Sequence, residues 1–224
     1  MKNHLLTNSA AAYMLTDSSI IQESPFVETD GLLIYKEECK NPEFLNSSLF
    51  ISLFGETVAV DHYVLLFSNR ETLTEYANSL TNYDAKITEG PGRWPDDFCE
   101  EGNLLSENLG MYFLSALMPS GMIIVLLAPD TPDEKLDCLY REKGVNAVHH
   151  VAIRVDDIYA AAEAWEKKGF KPLSVNPQND GSLCQWFLSN QVGQIVEIIS
   201  RPSAGKETFS CENIVGLRLS ELEA

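Results

Sequence analysis

The stretch VHHVAIRVDDI (residues 148–158) has a second, weaker copy earlier in the chain. VDHYVLLFSN (residues 60–69) aligns with its start without gaps and sets His62 over His150. Each copy reads as a short apolar strand that leads into a helix. After the first comes RETLTEYANSL. After the second comes DIYAAAEAWEKKG, where Ile158, Ala161, Ala162 and Trp165 recur at i, i+3, i+4 and i+7 on one helical face. Gly169 stands where such a helix should stop. Each copy then closes on a strand opened by glycine, GMIIVLLAP from Gly121 and GQIVEIISRP from Gly193.

Read outward from these anchors, each copy has the order β-α-β-β-β. The inner strands are predicted near 83–88 and 111–118 in the first copy and near 170–175 and 182–189 in the second. The predicted fold is α+β, with two βαβββ modules forming a curved mixed sheet around a central cavity. The modules span 59–129 and 145–200. A connecting helix at 130–144 would have Pro132 in its first turn and Asp130 or Thr131 as its cap. Residues 201–224 form a C-terminal helical tail. Residues 1–58 form an N-terminal extension of unassigned role, with strands suggested in GLLIYKE and SLFISLFG. The first copy is the longer, and its excess falls in EGPGRWPDDFCEEGNLLSENLG (89–110), whose Gly, Pro, Asp and Glu suit a long loop. That loop is expected over the cavity mouth, with Trp94 and Phe98 either an apolar lid or part of a plain surface excursion.

Composition narrows the partners. Sixteen Lys plus Arg face 33 Asp plus Glu, a formal net charge of −17. Such a surface repels phosphate backbones and anionic headgroups, so neither nucleic acid nor membrane is expected as a partner, and a small-molecule substrate is. No apolar run approaches the roughly 20 residues that a membrane helix needs. The opening MKNHLLTNSAAAYMLTDSS makes a poor secretory signal, so the default location is cytoplasmic. The five cysteines (Cys39, Cys99, Cys138, Cys184, Cys211) are scattered and contain no CxxC pair, which reads as free thiols in a reducing compartment.

Strand alternation puts His150, Ala152 and Arg154 on one face and His149, Val151 and Ile153 on the other. His149 is therefore predicted to face away from His150. On the last strand Glu197 lies between Val196 and Ile198, and an acid in a core strand is costly unless paired, hydrogen-bonded or metal-bound. If the two copies pack as pseudo-twofold halves, His62 and His150 become symmetry mates and Glu197 lies beside them. Two imidazoles and one carboxylate form the facial set used for non-haem Fe(II), and also for Mn(II) or Zn(II). Each residue alone has a plainer reading, as a hydrogen-bonded core histidine or a salt-bridged glutamate. The combination in register is what points to a metal.

DHYVLLF, HHVAIRVDDI and GQIVEII together resemble the vicinal oxygen chelate superfamily, which includes the glyoxalase I, bleomycin-resistance and extradiol dioxygenase families. The resemblance implies His62, His150 and Glu197 as metal ligands. It puts the fourth position of the four-ligand families on Val125, which cannot coordinate, and so points away from glyoxalase I and the epimerases. SLCQWF (182–187), VEIISR (196–201) and FSCENIVGLRLSELE (209–223) resemble the closing segment of the 4-hydroxyphenylpyruvate dioxygenase family. This implies Gln185 as a substrate-binding residue, and alternation adds Phe187 on the same face. Asn213 reads as a helix cap, and a second family glutamine is replaced by His149. The implied activity is a non-haem Fe(II) dioxygenase acting on a small keto-acid or aromatic substrate. The alternatives are an Mn(II)- or Zn(II)-dependent glyoxalase-like isomerase, lyase or transferase, or a metal-free binding protein of the bleomycin-resistance type. In that last case the three side chains would not converge. No acid–base residue is singled out, and a homodimer is allowed.

Overall fold

The computed structural model describes residues 24–36, 50–99, 110–201 and 209–223. Two hairpins come first: β1 (Phe26–Thr29) pairs antiparallel with β2 (Leu32–Tyr35), and β3 (Phe50–Leu53) pairs with the start of β4 (Glu56–Leu66). The first copy continues through α1 (Arg70–Thr81), β5 (Lys86–Trp94), β6 (Met111–Leu117) and β7 (Ile123–Pro129). A connecting helix, α2 (Lys135–Lys143), leads to the second copy. This copy contains β8 (Val148–Arg154), α3 (Ile158–Glu166), the short β9 (Lys171–Pro172) and β10 (Gln178–Asn179), then β11 (Cys184–Ser189) and β12 (Ile195–Ser200). Helix α4 (Cys211–Glu223) follows.

β1 and β2 form a sheet of their own, and the other strands form one open mixed sheet in the order β10-β11-β12-β8-β4-β7-β6-β5, with β3 paired to β4 and β9 to β11 off that path. β4 and β8 run antiparallel at its centre, and each has its own closing strand as a parallel outer neighbour, β7 for β4 and β12 for β8. Gly121 and Gly193 stand two residues before β7 and β12 with φ of +86° and +77°, a left-handed conformation that glycine adopts without a Cβ clash. The α+β mixed sheet expected from the repeat is what forms.

Local sequence explains the helices. Asn69 caps α1 through the Thr72 amide, and Asp157 caps α3 through the Tyr159 and Ala160 amides. Both helices lie on one face of the sheet, where Leu73, Ala77 and Leu80 of α1 and Ile158, Ala161, Ala162 and Trp165 of α3 join the main core. Each large apolar side chain buried there contributes roughly 1.5–3 kcal/mol. The other face carries a second core of Val64, Leu66, Trp94, Phe113, Val125 and Leu127, covered by Leu136 of α2 and Ile214 of α4. The central strands are thus covered on both sides, so any polar group on them is taken out of water.

Several expectations need correction. β5 runs on to Trp94, so 89–94 belong to the sheet and not to a loop. Trp94 is fully buried opposite Met111, and Phe98 packs on the same core. A large indole gains more by completing that core than by standing over a cavity mouth, so Trp94 is no lid. Residues 100–109 of the expected loop lie outside the described residues. Helix α2 is capped by Glu134, whose side chain accepts from the Asp137 amide, and not by Asp130 or Thr131. The Asp130 carboxylate is held instead by Arg93 at 2.7–2.8 Å. Cys99 and Cys211 form a disulfide, so the free-thiol reading holds for Cys138 and Cys184 only, and Cys39 lies outside the described residues. The two partners are 112 residues apart and meet only because α4 folds back across the sheet. Among the described residues no helix is long and apolar enough to cross a membrane.

Candidate metal centre

The register of the three central strands brings the expected ligands into one row. His62 on β4 stands opposite Ala152 on β8, and Ala152 stands opposite Glu197 on β12. His150 lies two residues along β8, opposite Val64 and Ile195. The first copy repeats this register, with Val64 opposite Val125 as Ala152 is opposite Glu197. Val125 is therefore the structural counterpart of Glu197, and it carries no donor atom.

His62 Nε2 and His150 Nε2 each lie 3.2 Å from the same oxygen, Glu197 Oε2. The three side chains are buried, and their donor atoms lie within 4.8 Å of one another. Glu197 Oε1 is also buried and accepts no hydrogen bond, which is costly for a carboxylate. Donors held by one ion at 2.0–2.2 Å and at right angles stand about 3 Å apart, so this set fits a divalent metal. The cluster could hold one, and an ion would give the orphaned carboxylate a counter-charge.

Charges around the row reinforce it. Burial opposes ionisation of Glu197, but the nearby His62 charge and the bonds from both histidines outweigh it and hold the carboxyl down to about 2. Burial alone would lower His62, yet the Glu197 charge and the Asp61 hydrogen bond raise it. His150 goes the other way, pushed down to about 4 chiefly by burial. In the metal-free protein Glu197 and Asp61 thus favour a proton on His62, at the place where a cation would otherwise supply the positive charge.

Sequence reasoning missed Asp61. Its Oδ1 lies 2.9 Å from His62 Nδ1, while Oδ2 accepts from Arg154 Nε at 3.0 Å and from Arg201 Nε at 3.0 Å. Burial works against this carboxylate, but His62 and Arg201 keep it well below the usual range. The available signal was its place, immediately before the repeated histidine. His149 holds the same place in the second copy, and there the expectation fails. Its ring does not face away: Nδ1 lies 2.7 Å from His150 Nδ1. The β4–β8 register shifts at Asp61 and again beside His149, and such bulges break the strict alternation on which the expectation rested.

A cavity of about 40 Å³ adjoins the cluster, room for an ion and a few waters. Gln185 and Phe187 both line it, as alternation predicted, together with Phe113, Phe209, Ile214 and Leu217. Phe187 and Phe209 set their rings edge-on to His150 and His62. The amide nitrogen of Gln185 donates to Gln178 Oε1 and to the Asn213 carbonyl, so it ties β11 to α4. Asn213 does cap: its Oδ1 accepts from the Ser210 amide while Ser210 Oγ accepts from its own amide. A buried pair, Arg218 and Glu134 at 3.0 Å, fastens α4 to the start of α2. Helix α4 is thus the cover of the cavity and more than a C-terminal tail.

A family model now matches this arrangement over residues 61–186, more than half of the chain. The chain belongs to the glyoxalase/bleomycin resistance protein/dioxygenase superfamily. Among solved structures the fold is similar to a mutant 4-hydroxymandelate synthase from Streptomyces coelicolor, with a TM-score of 0.50 and 16% identity over 74% of this chain and 55% of that one. The chain thus spans little more than half the length of that enzyme. A hypothetical protein from Bacillus halodurans C-125 gives a TM-score of 0.46 with 16% identity, covering 66% of this chain and 96% of that one. Methylmalonyl-CoA epimerase from Mycobacterium tuberculosis gives 0.45 with 15% identity, covering 65% and 90%. At 16% identity the likeness to the synthase shows the fold alone. No curated protein matches the sequence.

Proposed function

We propose that the protein is a metal-dependent enzyme, a non-haem Fe(II) dioxygenase acting on a small keto-acid or aromatic substrate. His62, His150 and Glu197 are its metal ligands. The observation that carries the reading is the convergence of two buried imidazoles on a carboxylate whose second oxygen is orphaned. A metal-free binding protein has no use for that arrangement. The missing donor at Val125 favours a three-ligand set over a four-ligand one, and three ligands leave adjacent positions open for a bidentate substrate and O₂. Fe(II) bound there would supply the electrons for oxygen chemistry that side chains lack.

The protein's own residues supply position and shelter. Asp61 keeps a proton on His62 Nδ1, so that Nε2 is the bare nitrogen facing the cluster. Phe113, Phe187 and Phe209 give the cavity aromatic walls, which would suit an aryl or apolar body once the space of about 40 Å³ widens to admit it. Gln185, anchored through both donors of its nitrogen, offers Oε1 as an acceptor and is the candidate contact for a substrate hydroxyl. The test is O₂ uptake by protein reconstituted with Fe(II), Mn(II) or Zn(II) in turn, against a panel of aryl and alkyl 2-keto acids and catechols. Uptake with Fe(II) alone supports the dioxygenase. Substrate turnover without uptake, under Mn(II) or Zn(II), would make it a glyoxalase-like isomerase or lyase. A protein that takes up none of the three metals would overturn the metal reading.

A further inference from the structure

We propose that His149 is the positioning residue for His150, holding its ring so that Nε2 points into the metal cluster. The inference rests on the metal reading above, because orientation of Nε2 matters only if that atom is a ligand. Two ring nitrogens 2.7 Å apart, both buried, must share one hydrogen. His150 Nε2 faces Glu197 Oε2 and has to be bare to coordinate, so its proton sits on Nδ1 and donates to His149 Nδ1. His149 Nδ1 is then the acceptor, which places the proton of that ring on Nε2.

The repeat supports this assignment independently. Asp61 and His149 occupy the same place in the two copies, each one residue before the proposed ligand. Each lies at a shift of the β4–β8 register, and each bonds to the Nδ1 of the histidine that follows, at 2.9 Å and 2.7 Å. The bulge that turns the His149 ring toward His150 is itself braced. Gln194, fully buried, donates from Nε2 to the His149 carbonyl at 3.3 Å, and its Oε1 accepts from the Leu33 amide and Lys143 Nζ. The two orienting groups differ in kind, a carboxylate behind His62 and an imidazole behind His150, so the second ligand is oriented without a further carboxylate beside the buried Asp61 and Glu197.

The experiment uses the full-length protein stripped of metal and titrated with Zn(II) alone against a competing chelator. His149→Phe keeps a ring and removes the acceptor, while His149→Asn restores an acceptor where Nδ1 stood. Outer hydrogen-bond partners of ligands typically carry about 10–100-fold in metal affinity, so His149→Phe should weaken Zn(II) binding by that factor and His149→Asn should recover most of it. A second readout needs no variant. In Zn(II)-loaded wild type with ¹⁵N-labelled histidine, His150 should show the Nδ1–H form and His149 the Nε2–H form. Wild type that binds Zn(II), with His149 in the Nδ1–H form or with His149→Phe binding within about threefold of wild type, overturns the positioning role alone. Wild type that binds no Zn(II) overturns the metal reading and this inference with it.

Discussion

Neutralising Glu197 separates a metal centre from a plain buried ion pair. Glu197→Gln keeps the length and volume of the side chain and removes only its charge. In the structure that charge lies 3.2 Å from both Nε2 atoms. Structural zinc sites bind by about 10–16 kcal/mol through four ligands, so one ligand carries about 2.5–4 kcal/mol and its loss should weaken binding about 10²–10³-fold. The pH dependence should change as well. Glu197 is the largest of the influences that raise His62 above 6.5, and only neutral imidazole coordinates. Below that raised value wild-type binding must displace the His62 proton, so affinity should fall about tenfold per pH unit. In Glu197→Gln that raising influence is removed, so the same slope should set in only at lower pH than in wild type. The metal-free proteins should diverge in the opposite sense. A raised histidine stabilises the fold below its unfolded pKa and loses that contribution as pH rises through the folded value. Glu197→Gln should therefore be less stable than wild type near pH 6 and approach it on the alkaline side. The assays are zinc titration against a chromophoric chelator and urea unfolding, each across the neutral range. A variant that binds zinc within about threefold of wild type, with an unchanged pH slope, would refute Glu197 as a ligand.

Other perturbations test the neighbouring parts. His62→Ala and His150→Ala should each lose bound metal on chelator-free purification while far-UV circular dichroism stays native. Ala152 stands between His62 and Glu197 in the row, so Ala152→Leu should fill the gap and abolish zinc binding; retained binding would show that the cluster closes elsewhere. Asp61→Asn leaves His62, Arg154 and Arg201 around a neutral amide, and breaking such a buried charge pair should cost about 3–5 kcal/mol in urea unfolding. Because the Asp61 carboxyl is depressed, its contribution is present above the ordinary aspartate value of about 4 and fades as pH falls below it. Denatured protein should titrate two fewer thiols without reductant than with it, and Cys99→Ser with Cys211→Ser should cost about 2–5 kcal/mol of stability. Equal thiol counts would remove the disulfide.

Much of this architecture is legible in the chain because repetition and periodicity are local. The gapless match of residues 60–69 to 148–157 and the glycines before each closing strand are enough to set two βαβββ units in register, and the units then bring His62, His150 and Glu197 to the centre. Gln185 and Phe187 reach the cavity by plain strand alternation. The rest depends on contacts between distant segments. Alternation assigned His149 to the far face, and a shift of register against β4 turned it toward His150. Trp94 sits in a loop-like composition, yet pairing with β6 extends the strand and buries it. Asp130 was a sound cap until Arg93 claimed it from another strand. Cys99 and Cys211, 112 residues apart, meet only once α4 has crossed the sheet and closed over the cavity. Periodicity is a property of neighbours along the chain, so apolar faces and repeated residues can be read from it directly. Bulges, caps and the cover of the site arise from competition among partners far apart in sequence, and the winning partner emerges once those segments have packed together.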